Sequence, residues 1–376
     1  MGKLDILIKD FNKQYKEQIA ARGIARIETQ KIPFSSPRAN YMLYGGIPRG
    51  RIVEFAGEEN GGKTTTALDI VANAQKLFDE EWEKEVLELR ELANPKKEEK
   101  ARLEYLRMRG PKQIVYADCE NTLDEDWARL LGVNVDNLLV LKPMSQTAEQ
   151  IFEMLLQTIE TDEVGLVIID SLGVMLSAQA YEKTMEEKTY GGIAAALTLF
   201  SKKAELLCTK YNCTLIGINQ MREDMNSPYG GMITTGGKGW KHNCSVRLMF
   251  KKGSYIDERG NEIKRSSESP AGNLVMIDIA KTKVCKPDRR MGFYTLRYDS
   301  GVDVVADTIE VALKYNLIQQ AGAWFTFVDP ETGELLEDEE GEVLKIQGKP
   351  NLIEFLKNDS LFDELKDKLA EIIGRE

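Results

Sequence analysis

Apolar and polar positions follow one another along this chain in two rhythms. Short, nearly unbroken apolar runs stand at 51–56, 113–118, 138–141 and 165–169. Around them apolar residues recur every three or four positions, over 63–78, 124–131, 147–160 and 192–211. Continuous apolar runs separated by helical patterns predict a parallel sheet covered on both faces, so an α/β fold is expected. Four further β-rich runs follow, TLIGIN, SVRLMF, LVMIDIA and GFYTLRY, the last of them antiparallel or edge-like in pattern.

Three segments keep a different rhythm. Residues 4–21 place Leu4, Ile8, Phe11, Tyr15 and Ile19 on one stripe of an otherwise charged helix, and that stripe needs a partner surface. Residues 79–112 read as two charged helices split at Asn94-Pro95, a projecting hairpin inserted into the sheet pattern, with an interaction role for a protein partner expected. From about Thr308 on, IEVALKYNLI, the β-like GAWFTFV, an acidic turn-rich stretch and a final amphipathic helix suggest a small α+β domain. The expected division is an N-terminal segment 1–31, a core 32–307 and a C-terminal domain 308–376.

Composition narrows the chemistry. With 376 residues, 42% hydrophobic and 30% charged, the chain has material for a large core and an appended domain. Its formal charge of −11 excludes a surface that coats polyanions throughout, so any nucleic-acid contact must be local. The five cysteines lack paired metal spacing, which points to reduced thiols rather than zinc. No window approaches the roughly 20 apolar residues of a membrane span, and the opening segment lacks a leader's apolar run; a cytoplasmic protein is expected.

The strongest local signal is GEENGGKTT, residues 57–65, between a strand pattern and a helix pattern. Gly57-x-x-x-x-Gly62-Lys63-Thr64 fits a P-loop, whose glycines let several backbone N–H groups face one anion at a helix N-terminus. Lys63 would reach the β and γ phosphates of a nucleoside triphosphate and the Thr64 hydroxyl would ligate Mg²⁺. Asp170, closing the run Gly165-Leu-Val-Ile-Ile, is the expected second metal anchor; alone it would read as a cap or turn residue.

Glu120, after QIVYADC, could sit at the same carboxyl edge and is the candidate base, although a surface ion-pair carboxylate fits the pattern equally. Asp118 is expected to face away and is the weaker candidate. Gln220, after TLIGIN, could sense the γ-phosphate and signal to the loop 221–238, which is rich in glycine and is expected to be mobile without a partner.

Taken in order, Gly57 to Thr65, Asp118-Cys-Glu-Asn-Thr-Leu-Asp124, the strand ending at Asp170, Ile218-Asn219-Gln220, Thr234-Thr-Gly-Gly237 and Lys281-Thr-Lys283 resemble the RecA-type DNA strand-exchange recombinases. The resemblance runs from about Ile32 to the C-terminus apart from 79–112, and GAWF near the end is similar too. It implies a RecA-like P-loop core with a mostly parallel central sheet, an N-terminal oligomerisation helix and a small C-terminal domain. It further implies a DNA-dependent ATPase that, with ATP and Mg²⁺, forms helical homo-oligomeric filaments on single-stranded DNA and pairs that strand with homologous double-stranded DNA, in the cytoplasm on the nucleoid.

By the same match Glu120 would activate water beside Lys63. Glu58, Glu59, Asn60, Gly61 and Thr65 would complete the phosphate loop, and Asp124 and Trp127 would lie near the adenine. Lys281 and Lys283 would reach a neighbouring subunit's phosphates. Loops at 179–192 and 221–238 would line the DNA axis, through Lys183, Lys188, Arg222, Met225, Tyr229, Gly230, Gly231, Thr235, Gly236, Gly237 and Lys238.

The first loop departs from the family by setting Glu182, Glu186 and Glu187 against its lysines. His242 stands where an aromatic residue is usual, and a packed core or interface imidazole is expected there. A ring-forming motor of helicase type and a low-turnover nucleotide-switched regulator are the alternatives to be weighed.

Overall fold

The computed structural model describes residues 3–15, 30–182, 192–223, 232–264, 269–329, 332–338 and 340–375. The chain divides into two compact units, 1–30 and 31–376. In the first, α1 (Lys3–Tyr15) is helical where the stripe is expected; of the stripe, Leu4 is exposed and Ile8 half-buried, and Ile6 and Leu7, which are not part of it, are about half exposed. Ile19 lies outside the described residues.

In the second unit β1 (Lys31–Ile32) pairs with β2 (Ile47–Pro48) around α2 (Pro37–Met42), capped by Ser36. There follow β3 (Ile52–Gly57), α3 (Lys63–Glu91), α4 (Lys97–Arg109), β4 (Gln113–Asp118), α5 (Glu125–Leu130), β5 (Leu138–Leu141), α6 (Ala148–Glu160), β6 (Val164–Asp170), α7 (Ala178–Tyr181), α8 (Ala194–Tyr211) and β7 (Thr214–Glu223). Then come β8 (Met232–Thr234), α9 (Gly237–Asn243), β9 (Val246–Ile256), β10 (Glu262–Ile263), β11 (Gly272–Thr282), β12 (Met291–Arg297) and β13 (Gly301–Val302).

The central sheet runs β13-β12-β11-β9-β3-β7-β6-β4-β5. From β9 to β5 the strands are parallel; β11, β12 and β13 continue antiparallel, as the edge-like pattern of their sequences anticipated. One apolar core, with Phe55, Phe78, Ile168 and Phe250, lies on the α3 face; a second, with Ile151, Phe152, Leu197 and Trp240, lies under α6, α8 and α9. Among the described residues no helix is long and apolar enough to cross a membrane.

The inserted hairpin differs from its expected form. Its first arm is no separate helix: α3 runs unbroken for 29 residues, about 43 Å at 1.5 Å per residue. No glycine or proline interrupts it, and buried Phe78 and Val86 keep its inner face apolar beneath the charged pattern. The arms also have a packing task. The Trp82 indole donates to the Leu106 carbonyl at 2.7 Å, Leu106 is fully buried, and Arg49 pairs with Glu81 while lying over the Phe78 ring.

At the C-terminal end α10 (Val304–Lys314) leads into an antiparallel sheet of β14 (Ile318–Ala321), β15 (Trp324–Phe327) and β16 (Lys345–Gln347), followed by α11 (Lys349–Asn358) and α12 (Leu361–Arg375). Gly348, at φ +84°, opens α11, and Asp359 breaks the chain before α12, so the single final helix read from the sequence is two. Ile309, Phe325, Phe327, Leu352 and Leu369 form this region's own core.

Two buried carboxylates hold the segment just before α2. Asp69 accepts from the Ser35 amide at 3.0 Å, and Asp307 accepts from the Ser36 hydroxyl at 2.6 Å. Burial pushes Asp69 up to about 6 and Asp307 up to about 7, the hydrogen bonds and, for Asp307, the nearby Arg38 opposing it. A folded-state pKa above the unfolded value means that the contribution to stability is complete below about pH 4 and is lost as pH rises through the folded value. For Asp307 the loss is on the order of 4 kcal/mol across pH 4 to 7. Asp307→Asn is therefore expected to flatten the fall in melting temperature between pH 5 and pH 8; thermal melts at both pH values would refute this if the two proteins lose stability in parallel.

Candidate functional site

Three strands, β3, β4 and β6, end together above the sheet, and β7 passes the same level at Gln220. Gly57 stands opposite Gln220, and Asp118 opposite Asp170, in register. This carboxyl edge is where open α/β sheets hold ligands.

The loop 57–62 turns tightly into α3. Gly57 has no room for a side chain, since a Cβ there would lie 2.3 Å from the Phe250 carbonyl oxygen. Gly62 has φ +90° and Asn60 φ +58°, the left-handed conformation that curls a backbone around an anion. Glu58, Glu59 and Asn60 are exposed on the rim and Gly61 is buried beneath it. Lys63, the first residue of α3, folds back and donates to the carbonyls of Gly57 (3.2 Å) and Glu58 (2.6 Å). Burial lowers its pKa, and the carboxylates of Asp170 and Glu120 pull the other way.

Thr64 donates to Asp170 at 2.9 Å, and the phenol of Tyr116 donates to the same carboxylate oxygen at 2.7 Å. Burial raises the pKa of Asp170, while these two donors lower it. Oxygen donors of Thr and Asp this close, beside a turned glycine loop, suit a hard divalent cation bridging to phosphate.

Glu120 follows β4 by two residues, and its Oε1 accepts from the Ser171 hydroxyl and from the Gln220 amide at 3.1 Å. Asp118 is directed elsewhere, for a reason other than the strand pleat, which would put i and i+2 on one side. The strand ends at Asp118, the chain bends there with Cys119 donating to the Asp170 carbonyl, and the buried Asp118 carboxylate caps the amides of Thr122 and Leu123.

Asp124 caps α5 by accepting from the Trp127 amide, and the Trp127 indole approaches the Thr65 hydroxyl at 3.4 Å. Trp127, Lys252, Asn273, Leu296 and Tyr298 extend the loop into a cleft of about 410 Å³. The last four were not legible as a set, because they come from β9, β11, β12 and the turn after β12, far along the chain.

Gln220 is not a strand end. β7 continues to Glu223 and pairs antiparallel with β8, so the loop read as irregular is a β-hairpin at its base and a helix, α9, after Thr235. Arg222 donates to the Gly173 carbonyl, in the segment that follows β6, at 3.2 Å, and Lys238 is exposed on α9. Gly236 and Gly237 take positive φ, and a Cβ on Gly236 would lie 2.3 Å from Leu197. Met225, Tyr229, Gly230 and Gly231 lie outside the described residues, as do Lys183 and Lys188.

Directly beneath this edge lies a polar cluster that sequence reading missed. Glu54, fully buried on β3, accepts from Asn219 at 2.9 Å, from the Trp240 indole at 3.0 Å and from Arg247. Asn219 also donates to the Thr235 carbonyl at 2.8 Å. A charged residue inside the strand that leads into the glycine loop was its one sequence signal.

Lys281 and Lys283 are elsewhere. Lys281 pairs with Arg247 and Thr282 with Val246, which stands opposite Val53 near the start of β3. They therefore occupy the amino edge, where their ammonium groups donate to carbonyls at the end of α9, those of Lys241 and His242. His242 is exposed there, which removes the core reading of its imidazole.

A family model for the RecA N-terminal domain matches residues 3–80 and 106–303, leaving out the far part of the hairpin. A protein RecA of Nocardioides sp. is 30% identical over 376 residues, spanning 99% of this chain and 91% of the relative. One of Ruminococcus albus is 28% identical over 99% of this chain and 81% of its own, and one of Streptomyces venezuelae 29% identical over 88% and 73%.

Proposed function

Because the chain belongs to the RecA family, we propose that it is a DNA strand-exchange recombinase: a DNA-dependent ATPase that forms ATP-bound filaments on single-stranded DNA, pairs them with homologous double-stranded DNA, and uses hydrolysis to let go. Relatives of that name span nearly the whole chain, C-terminal region included, which favours this reading over a ring-forming motor or a low-turnover switch.

In this reading the amides of 57–62 and Lys63 bind the triphosphate, and Trp127 and Asp124 lie toward the base. Thr64 and Asp170 would hold Mg²⁺, which supplies charge neutralisation at the phosphates. Glu120 takes the proton from the attacking water. Arg222, Thr235, Gly236, Gly237 and Lys238, with the loop residues between, face single-stranded DNA. Lys281 and Lys283, on the edge away from their own glycine loop, serve the nucleotide of an adjoining subunit, and the stripe of α1 packs on that neighbour. The exposed Leu87, Tyr105 and Met108 of the hairpin are the surface for a protein partner.

The observation that carries the coupling is the Gln220 amide resting on Glu120, with the same strand continuing into the second loop. A γ-phosphate that draws Gln220 away would pull on that strand. A non-hydrolysable ATP analogue is then expected to tighten single-stranded DNA binding about 5- to 150-fold, measured by fluorescence anisotropy at fixed salt. DNA should in turn stimulate phosphate release, also in a chain whose hairpin is shortened to a turn. Equal DNA affinity with and without the analogue, together with unstimulated release, would sink the coupling, and closed rings instead of filaments by electron microscopy would favour a motor.

A further inference from the structure

We propose that Tyr116 is a positioning residue that holds the Asp170 carboxylate toward Thr64 before Mg²⁺ arrives. The inference rests on the nucleotide-site reading above and extends it to a residue of the central sheet. Tyr116 stands on β4 opposite Ile168 of β6, and Asp118 opposite Asp170, so the tyrosine lies two residues before the carboxylate along the same pair of strands. Its ring is fully buried in the core on the α3 face. Its single polar atom emerges at the top of that core, 2.7 Å from Asp170 Oδ2. Thr64 donates to the same oxygen from the first turn of α3 at 2.9 Å.

Two donors from two different elements thus converge on one oxygen. Rotating the carboxylate away would strand a phenol O–H without a partner inside the core, so it is disfavoured. The carboxylate is thereby held facing the glycine loop, and the ordering is already done when the ion binds. Outer-shell hydrogen bonds of this kind commonly change metal affinity by about 10- to 100-fold when removed.

Tyr116→Phe deletes one oxygen and keeps the packed ring. Binding of a fluorescent ATP analogue is followed as MgCl₂ is raised, and separately in EDTA, with thermal melts of the nucleotide-free proteins alongside. The expected result is a half-saturating Mg²⁺ concentration raised about tenfold, with metal-free nucleotide binding and melting temperature unchanged. A Mg²⁺ curve superimposable on the wild type would overturn the proposal. So would an equal loss of binding with and without Mg²⁺, which marks a packing role. Failure of the wild type to bind the analogue in either buffer would instead overturn the nucleotide-site reading and this proposal with it.

Discussion

Glu120→Gln is expected to slow ATP turnover by about 10²- to 10⁴-fold, the range set by loss of a positioned general base. The amide keeps an oxygen where Oε1 stands, so it can still accept from Ser171 and Gln220, and the local geometry should persist. What it lacks is basicity. Nucleotide affinity should therefore stay at the wild-type level, and DNA binding with ATP should become longer-lived because hydrolysis no longer resets it. Single-turnover phosphate release and equilibrium binding separate the two effects. An unchanged rate would assign the base to another group; a parallel loss of binding would mean that Glu120 serves the pocket's shape.

The second large effect concerns stability. Glu54→Leu removes the acceptor of three N–H donors at once, those of Asn219, Trp240 and Arg247. Arg247 is only 16% exposed, so its guanidinium would be left largely desolvated without a counter-charge. Breaking a buried pair from one side costs about 3–5 kcal/mol, a large share of the roughly 5–15 kcal/mol that holds a domain together. Adding Arg247→Met should recover part of the loss, because the pair is then replaced by apolar contact rather than severed. Urea denaturation of both variants decides it, and a single variant within 1 kcal/mol of wild type would show that water reaches the cluster.

The tight glycine turn between β3 and α3 was legible because its signal is local: glycines, a lysine and a threonine between a strand and a helix declare themselves within nine residues. Asp170 and Glu120 were legible as strand-end carboxylates, a matter of period and position. Glu54 was not, since its partners arrive from β7, α9 and β9 and only the sheet order brings them together. Tyr116 hid in an apolar run because a phenol satisfies the hydrophobic pattern with its ring and shows its hydroxyl only in three dimensions.

The helix boundary at 78 was misread for a related reason. Charged residues there are good helix formers, so α3 continues where its pattern merely changes from buried to half-solvated. The second loop looked irregular because a short β-hairpin carries too few residues for a period to emerge.

The unbroken course of α3 has a mechanical consequence. Its first residue touches the loop carbonyls, and its last lies at the outer end of the hairpin. Sharp bends in helices arise at proline, at glycine or where the ladder is interrupted, and no proline or glycine lies between these ends. The helix is a stiff lever: a load applied at its tip reaches the glycine loop as a tilt, with no joint between to absorb it.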